Sequence, residues 1–293
     1  MYCLEGVLNY RACQGQRRLY RSASLDTMTI PAAEKLLQSG VSAIIDLRSA
    51  DEIEKGAKDR SAGAKLLYDR LPRPENVLDC TSSSSSSSSP LRSPMLYHAP
   101  LLSDIEGFWA TVESRMPPAE LGWLRLRSIF DGGAVPRATA RALEDGGLAL
   151  LYEAMLSSRV HQAYVTATLE VCLRCAEEGN DVIFHCQKGK DRTGCLSMLI
   201  ESGVMDLPDE DILAGYSASA ALLGEDIQAA PRSGASRTSS SDVDWSRFRG
   251  SPAEAMLSTI KWIRKDYGSV AGFLESSGFT EEKLRRLRYA LIG

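Results

Sequence analysis

Residues 181–200 decide the fold, and they read Asp-Val-Ile-Phe-His-Cys-Gln-Lys-Gly-Lys-Asp-Arg-Thr-Gly-Cys-Leu-Ser-Met-Leu-Ile. The first four residues form a short apolar run typical of a buried strand. A helix is predicted to begin with Thr193 to Ile200 and to stop near Gly203. A helix N-terminus presents unpaired N–H groups and the positive end of the helix dipole. The polar segment between strand and helix is therefore predicted to be an anion-binding loop.

This loop carries a thiol and an arginine six positions apart, Cys186 and Arg192. A cysteine just before a helix favours its thiolate form, and a guanidinium can grip two oxygens of one phosphoryl group as a fork. Hydrolysis of a phosphate monoester needs a strong nucleophile and matched positive charge. We therefore predict that Cys186 is a catalytic nucleophile and that Arg192 binds phosphate and stabilises its transition state.

The other loop residues are expected to shape the phosphate site. Gly189 permits a turn in which successive N–H groups face a dianion, and the Thr193 hydroxyl can donate to the sulfur of Cys186. His185 enters from a buried strand, so a structural role is favoured over proton transfer. The predicted phosphate-binding or substrate-binding residues are Gln187, Lys188, Gly189, Lys190, Thr193 and Gly194. The complete string makes a chance free thiol in a solvated turn a remote alternative.

The overall composition limits the classes of function. The chain has 293 residues, 44% of them hydrophobic, and a net charge of -4, which gives no global electrostatic footprint for nucleic acid. No apolar stretch approaches the roughly 20 residues of a membrane-spanning helix, and residues 1–15 lack a secretory signal pattern. We expect a soluble, cytoplasmic protein with no membrane span and no nucleic-acid partner.

The cysteines indicate a reducing compartment. Their number is seven and their spacing is irregular, which is not a disulfide framework. Cys172 and Cys175 form a C-x-x-C pair inside an amphipathic helical pattern between Val160 and Ala176. Core packing is therefore favoured over a zinc site for this pair.

Further patterns predict alternating helices and strands. A helical pattern ending at Gly40 precedes a β-rich run at Val41–Leu47, and residues 105–156 read as several helices that could cover a site. Ser251 and Glu254 match a capping box for a helix ending near Tyr267, and another helix is expected around 280–292.

Two polar tracts interrupt the series of helices and strands, but they need not divide the chain into domains. Residues 80–94 include eight consecutive serines, and residues 231–250 are rich in serine and arginine, so both are predicted to be disordered insertions. We predict one domain over residues 1–293.

The chain also resembles a known family, the tyrosine-phosphatase-like group of Cys-x5-Arg enzymes that includes bacterial phosphatases of broad specificity. The resemblance extends beyond the loop to segments near both ends. These segments are Asn9-Tyr10-Arg11, Tyr20-Arg21-Ser22-Ala23, Asp46-Leu47-Arg48-Ser49 with Glu52, Asp211 to Ser217, Tyr267 to Val270 and Gly278-Phe279-Thr280.

The resemblance implies a single α/β domain of three layers, with a mostly parallel central sheet flanked by helices. It implies hydrolysis of phosphotyrosine, and sometimes of phosphoserine, phosphothreonine or phosphoinositides, without metal or other cofactor. It assigns the general acid to Asp191, which lies next to Arg192 and could reach the leaving oxygen. Asp104 is a rival acid on a segment that could move over the site, although a helix N-cap is the favoured interpretation. Lys188 and Lys190 would make the mouth of the site basic, which hints at polyanionic substrates, although solvated lysines are favoured.

Two other functions stay open at this stage. A catalytically weak, phosphate-binding pseudophosphatase would fit the absence of the Trp-Pro-Asp loop that supplies the acid in other tyrosine phosphatases. A thiol redox enzyme such as a rhodanese or arsenate reductase also places a cysteine before a helix, but neither needs the Thr193-Gly194 ending.

Overall fold

A computed structural model describes residues 4–79, 94–224 and 243–293 and contains one six-stranded sheet. Its strands are Arg11–Ala12 (β1), Leu19–Ser22 (β2), Val41–Asp46 (β3), Glu75–Asn76 (β4), Met95–His98 (β5) and Asp181–His185 (β6). They lie in the order β1-β2-β6-β3-β5-β4, and only the β1–β2 pairing within this described sheet is antiparallel. The two predicted strands, β3 and β6, are neighbours at its centre.

Helices account for most of the remaining described residues. They are Ile30–Leu37 (α1), Ala50–Lys58 (α2), Ala62–Arg70 (α3), Ile105–Ser114 (α4), Pro118–Arg127 (α5), Ala134–Ser157 (α6), Arg159–Glu177 (α7), Asp191–Met198 (α8), Asp209–Leu222 (α9), Ala253–Tyr267 (α10), Val270–Ser276 (α11) and Glu281–Ile292 (α12). None of the helices within these three ranges is both long and apolar enough to cross a membrane.

Successive residues of a strand point to opposite faces of the sheet, and both faces are buried by a hydrophobic core. Ile44 and Ile183 pack into a core with residues of α1 and α3, whereas Ile45 and Phe184 belong to a larger core on the other face. That larger core includes α7, where Cys172 and Cys175 are buried as predicted. The expected three-layer, mostly parallel α/β architecture is confirmed.

The middle of the chain folds into several helices, as predicted. One of them, α6, is interrupted at the Gly146-Gly147 pair. The chain changes direction there because Gly147 has φ 58° and ψ -151°, a conformation open to glycine.

The predicted capping box at the start of α10 is not formed, although the helix does end at Tyr267. The hydroxyl of Ser251 donates to the carbonyl of Ser217 and accepts from the N–H of Ala220. Ser251 therefore ties α10 to α9 instead of capping its own helix.

The predicted insertions 80–94 and 231–250 lie mostly outside the described residues. The final part of the second tract, residues 243–250, is described and contains a 3-10 turn at Trp245–Phe248. The prediction of disorder is wrong for this final part, because Phe248 is buried in the larger core.

Candidate active site

The predicted loop joins the carboxyl end of β6 to the first turn of α8, as the sequence indicated. Cys186 stands at its base with 2% of its surface exposed. Gln187 and Lys188 are exposed, whereas Gly189 is buried. The loop thus presents only part of its length to solvent.

The loop carbonyls are held from outside by the N-terminal segment. Asn9 Nδ2 donates to the carbonyls of Lys188 at 3.1 Å and Gly189 at 2.8 Å, and Arg21 Nη2 donates to the carbonyl of Gly189 at 2.9 Å. Arg11 donates to Oδ1 of Asn9, which orients the Asn9 amide. In the sequence these residues contributed only to the family resemblance, and no local pattern indicated their contacts with the loop.

A third contact extends this arrangement, because the N–H of Ser24 donates to the carbonyl of Gln187 at 3.1 Å. In a trans peptide the C=O and the following N–H point in opposite directions. Carbonyls turned outward therefore direct amides toward the inside of the loop. These amides belong to Lys188, Gly189 and Lys190.

The turn of the loop requires glycine at position 189. Gly189 has φ 65°, in the left-handed region, and a Cβ placed there would lie 2.2 Å from the carbonyl oxygen of Ser22. Any side chain would push the loop away from β2. The tight turn expected at Gly189 is confirmed.

Arg192 projects from the first turn of α8 and is held by Glu52 of α2. Its Nη1 and Nη2 donate to Oε2 and Oε1 of Glu52 at 2.5 and 2.6 Å. Burial would lower the pKa of Arg192, but the hydrogen bonds with Glu52 and the proximity of Cys186 raise it above its ordinary value. Arg192 is thus a fixed cation beside Cys186.

The position of Glu52 comes from a local capping box. The side chain of Ser49 accepts from the N–H of Glu52, and Glu52 Oε2 accepts from the N–H of Ser49 at 2.9 Å. Burial would raise the pKa of Glu52, but the bonds from Arg192 bring it below the ordinary value. The Ser-x-x-Glu spacing could have located Glu52 at the start of α2, but it could not have shown its reach to Arg192.

A buried ion cluster supports the loop from behind. Arg48, with no exposed surface, donates to Asp46 and to Asp26. Nδ1 of His185 lies 3.8 Å from Oδ1 of Asp46, and burial lowers the pKa of His185. A neutral, enclosed imidazole is poorly placed to exchange protons with a substrate, so the structural role of His185 stays the favoured prediction.

Asp191 is oriented by two tyrosines that sequence analysis did not identify. Tyr152 of α6 donates to Oδ1 of Asp191 at 2.6 Å, and the hydroxyls of Tyr152 and Tyr216 are also 2.6 Å apart. Burial raises the pKa of both tyrosines, so both hydroxyls keep their protons. No local pattern places α6 and α9 beside the loop, and thus no sequence signal could have identified this pair.

The two loop lysines have different surroundings. Lys190 is not solvated, since its side chain is 1% exposed and its Nζ lies 2.6 Å from the carbonyl oxygen of Gly250. Lys188 is exposed and lies at the rim of the adjoining pocket. Of the two lysines predicted to make the mouth of the site basic, Lys188 is therefore the exposed one.

Thr193 and Gly194 are buried in the first turn of α8. The Thr193 hydroxyl has no hydrogen-bond partner among the described residues, so the expected bond to the sulfur of Cys186 is not formed. Gly194 packs against the ring of Tyr216, which a Cβ would approach to 3.1 Å.

Asp104 is the N-cap of α4, as the favoured interpretation held. Its side chain accepts from the N–H of Gly107 at 2.9 Å and from the hydroxyl of Ser158 at 2.6 Å. The bond from Ser158 is the main reason why the pKa of Asp104 lies below its ordinary value. This carboxylate is engaged in holding α4 and the start of α7 together.

A pocket of about 330 Å³ opens beside the loop. Its polar lining comes from the loop, and its apolar lining comes from α4, α6 and the turn at residues 245–248. The lining residues are Lys188, Lys190, Asp191, Arg192, Leu102, Ile105, Phe108, Trp109, Leu151, Trp245 and Phe248. Within the described ranges, no group of three or more His, Cys, Asp or Glu side chains is placed to hold a metal ion.

Known proteins with sequences similar to this chain include tyrosine phosphatases. A model described as the tyrosine phosphatase family matches residues 9–293. A tyrosine-protein phosphatase from Nostoc commune is 28% identical over 123 residues, which covers 40% of this chain and 40% of that protein. The alignment thus spans about two fifths of this relative, whereas the family match includes the whole loop site.

Proposed function

Because the chain belongs to the tyrosine phosphatase family, we propose that it hydrolyses phosphate monoesters through a phosphocysteine intermediate on Cys186, with phosphotyrosine as its main substrate. The observation that carries this proposal is the fixed pairing of Arg192 with Glu52 beside Cys186. A guanidinium held in place next to a nucleophile can bind the phosphoryl oxygens and stabilise the charge of the transition state.

In the first step the thiolate of Cys186 attacks phosphorus, an S–P bond forms and the P–O bond to the leaving group breaks. Asp191 gives its proton to the departing oxygen. The inward amides of the loop and Arg192 bind the other phosphoryl oxygens. These oxygens share the negative charge of the transition state.

In the second step Asp191 takes a proton from water as the water attacks the phosphocysteine. The S–P bond then breaks, releasing inorganic phosphate and regenerating the thiolate of Cys186. Asp191 is supported in both roles by its position, since Tyr152 fixes one carboxylate oxygen and about a third of the side chain stays exposed to the pocket.

The test is metal-free hydrolysis of a phosphotyrosine peptide in the presence of a chelator. Cys186→Ser should abolish turnover, whereas Cys195→Ser, at a buried cysteine in α8, is the matched control and should retain it. Rapid quenching with a phosphorus-labelled substrate should trap label on the protein with Cys186 and none with the serine variant. Turnover by Cys186→Ser would contradict the thiol mechanism, and tight binding without turnover by the unaltered protein would favour a pseudophosphatase.

A second candidate substrate is a polyanion such as a phosphoinositide, and the observation that favours it is the exposed Lys188 at the pocket rim. A panel of phosphotyrosine, phosphoserine and phosphothreonine peptides with phosphoinositides should rank these substrates by kcat/KM. Lys188→Met should selectively weaken a polyanionic substrate if this second candidate is correct.

A further inference from the structure

Lys190 is a buried cation whose ammonium donates to backbone carbonyls outside the catalytic loop. Its side chain is 1% exposed, and Nζ lies 3.0 Å from the carbonyl oxygen of Phe248 and 2.6 Å from that of Gly250. Oδ1 of Asp191 is 3.6 Å from the same nitrogen. A buried ammonium must have its donors satisfied, and here two carbonyls of one segment accept from it. Lys190 therefore fastens the catalytic loop to residues 243–250, called the wall segment below.

The wall segment contributes two aromatic rings to the pocket. The rings of Trp245 and Phe248 have centroids 5.3 Å apart, and both residues line the pocket beside Arg192. A second attachment holds the segment to α6, since the N–H of Asp244 donates to Glu144 at 2.6 Å. The wall is thus attached at one end to α6 and at the other to the loop.

The rest of the apolar lining includes Phe108 and Trp109 of α4 and Leu151 of α6. An aromatic leaving group would bury its ring among these side chains. A polyhydroxylated leaving group would lose hydrogen bonds to water there without replacing them, which costs more than a missing apolar contact.

We propose that Lys190 is a positioning residue that fixes the wall segment, and that this wall makes the pocket prefer a phosphorylated aromatic ring over an alkyl phosphate. This inference rests on the proposed phosphatase function and specifies its leaving group. It differs from a direct role of Lys190 in reading substrate charge, in which the ammonium would donate to the substrate instead of to the carbonyls of Phe248 and Gly250.

The experiment compares two peptides of one sequence, phosphorylated on tyrosine or on serine. Lys190→Met and Trp245→Ala should each lower the ratio of kcat/KM values, tyrosine to serine, by about tenfold, the usual effect of losing an apolar contact in a pocket. The double variant should lose no more than either single variant, because both changes remove the same wall. Lys261→Met, an exposed lysine on α10, is the matched control and should keep the ratio.

Two results would overturn the inference. An equal loss on both peptides in Lys190→Met would mean that Lys190 acts on the phosphate, and additive losses in the double variant would mean that it acts independently of Trp245. If Lys190→Met does not fold, Trp245→Ala decides alone, since this half-exposed residue can be truncated without opening the core, and an unchanged ratio there rejects the wall.

A binding measurement separates this inference from the proposed function. The Cys186→Ser protein should bind the phosphotyrosine peptide about tenfold more tightly than the phosphoserine peptide, by the same apolar contacts. Failure of the unaltered protein to hydrolyse either peptide would reject the phosphatase function. Equal binding of both peptides would reject the aromatic preference, whether or not the protein turns over.

Discussion

Glu52 holds the guanidinium of Arg192 with both of its carboxylate oxygens, at 2.5 and 2.6 Å, across 140 positions of the chain. The same carboxylate closes the capping box with Ser49 at the start of α2. One side chain thus caps a helix and orients the cation of the phosphate site. A change at Glu52 is expected to affect catalysis through Arg192 without touching the substrate.

Glu52→Gln should lower kcat/KM for a phosphotyrosine peptide by about ten to a hundredfold, because an amide offers one acceptor and cannot fix both guanidinium nitrogens. The measurement is steady-state kinetics with binding of inorganic phosphate as a second readout. Glu54→Gln, at an exposed position of the same helix, is the control and should match the unaltered protein. Normal kinetics in Glu52→Gln would show that Arg192 needs no such clamp.

Asp191→Asn should lower turnover in proportion to the basicity of the leaving group. The loss should be large for tyrosyl or alkyl phosphates and small for an activated aryl phosphate, since a stable leaving anion needs little protonation. Asp104→Asn should leave this dependence unchanged, because Asp104 caps α4. The opposite pattern in the two variants would transfer the acid role to Asp104.

Tyr152→Phe should act in the same direction as Asp191→Asn, with a smaller loss, because it removes the hydroxyl that orients the Asp191 carboxylate at 2.6 Å. The diagnostic readout is the slope of log kcat against leaving-group pKa, which a purely structural defect would not change. Tyr164→Phe, in the core on α7, is the matched control and should keep the slope. An unchanged slope in Tyr152→Phe would reject the positioning role.

Peroxide should inactivate the protein reversibly by oxidising Cys186, and thiols should restore activity. Burial raises the pKa of Cys195 well above its ordinary value and that of Cys13 to about 12, so these two thiols stay protonated and should resist oxidation. Mass spectrometry after brief exposure should therefore locate the first modification at Cys186, and Cys195→Ser should be inactivated at the same rate. Indifference to peroxide would argue against a thiolate at Cys186.

The buried carboxylates behind the loop should make the protein sensitive to acid. Burial would raise the pKa of Asp26, but hydrogen bonds from Ser24 and Arg48 place it below the ordinary value, and the hydrogen bonds and charge of Arg48 lower the pKa of Asp46 in the same way. The unfolded state then binds more protons than the folded state, so stability is complete above about pH 4 and falls as pH drops through the lowered values.

This acid sensitivity is measurable by urea unfolding between pH 7 and 3. Asp26→Asn should be less stable at pH 7 but should show a smaller further loss on acidification, since it has lost one of these protonation sites. Asp69→Asn, an exposed position on α3, should follow the unaltered protein. Parallel curves for Asp26→Asn and the unaltered protein would contradict the linkage.

Local patterns predicted the parts of this protein whose structure depends on neighbours in the chain. The apolar run before His185 and the helix after Gly194 placed the loop, and Gly189 supplied its turn, because strand pairing, helix formation and a positive φ are settled over a few residues. The cap at Asp104 was predicted for the same reason. The local pattern at Ser251 gave a wrong prediction. Its hydroxyl forms hydrogen bonds with backbone groups of α9 instead of capping α10.

By itself the sequence determined that a thiol and a guanidinium share one strand–loop–helix junction, since both lie within seven residues of one loop, Cys186 to Arg192. Tertiary structure alone decided which groups orient them. Asn9 reaches the loop from 180 positions away, Glu52 from 140 and Tyr152 from 39, while the ammonium of Lys190 donates to the carbonyl of Gly250. Such contacts depend on how helices pack on the sheet, and packing is governed by shape and burial summed over the whole fold, which no short stretch of sequence encodes.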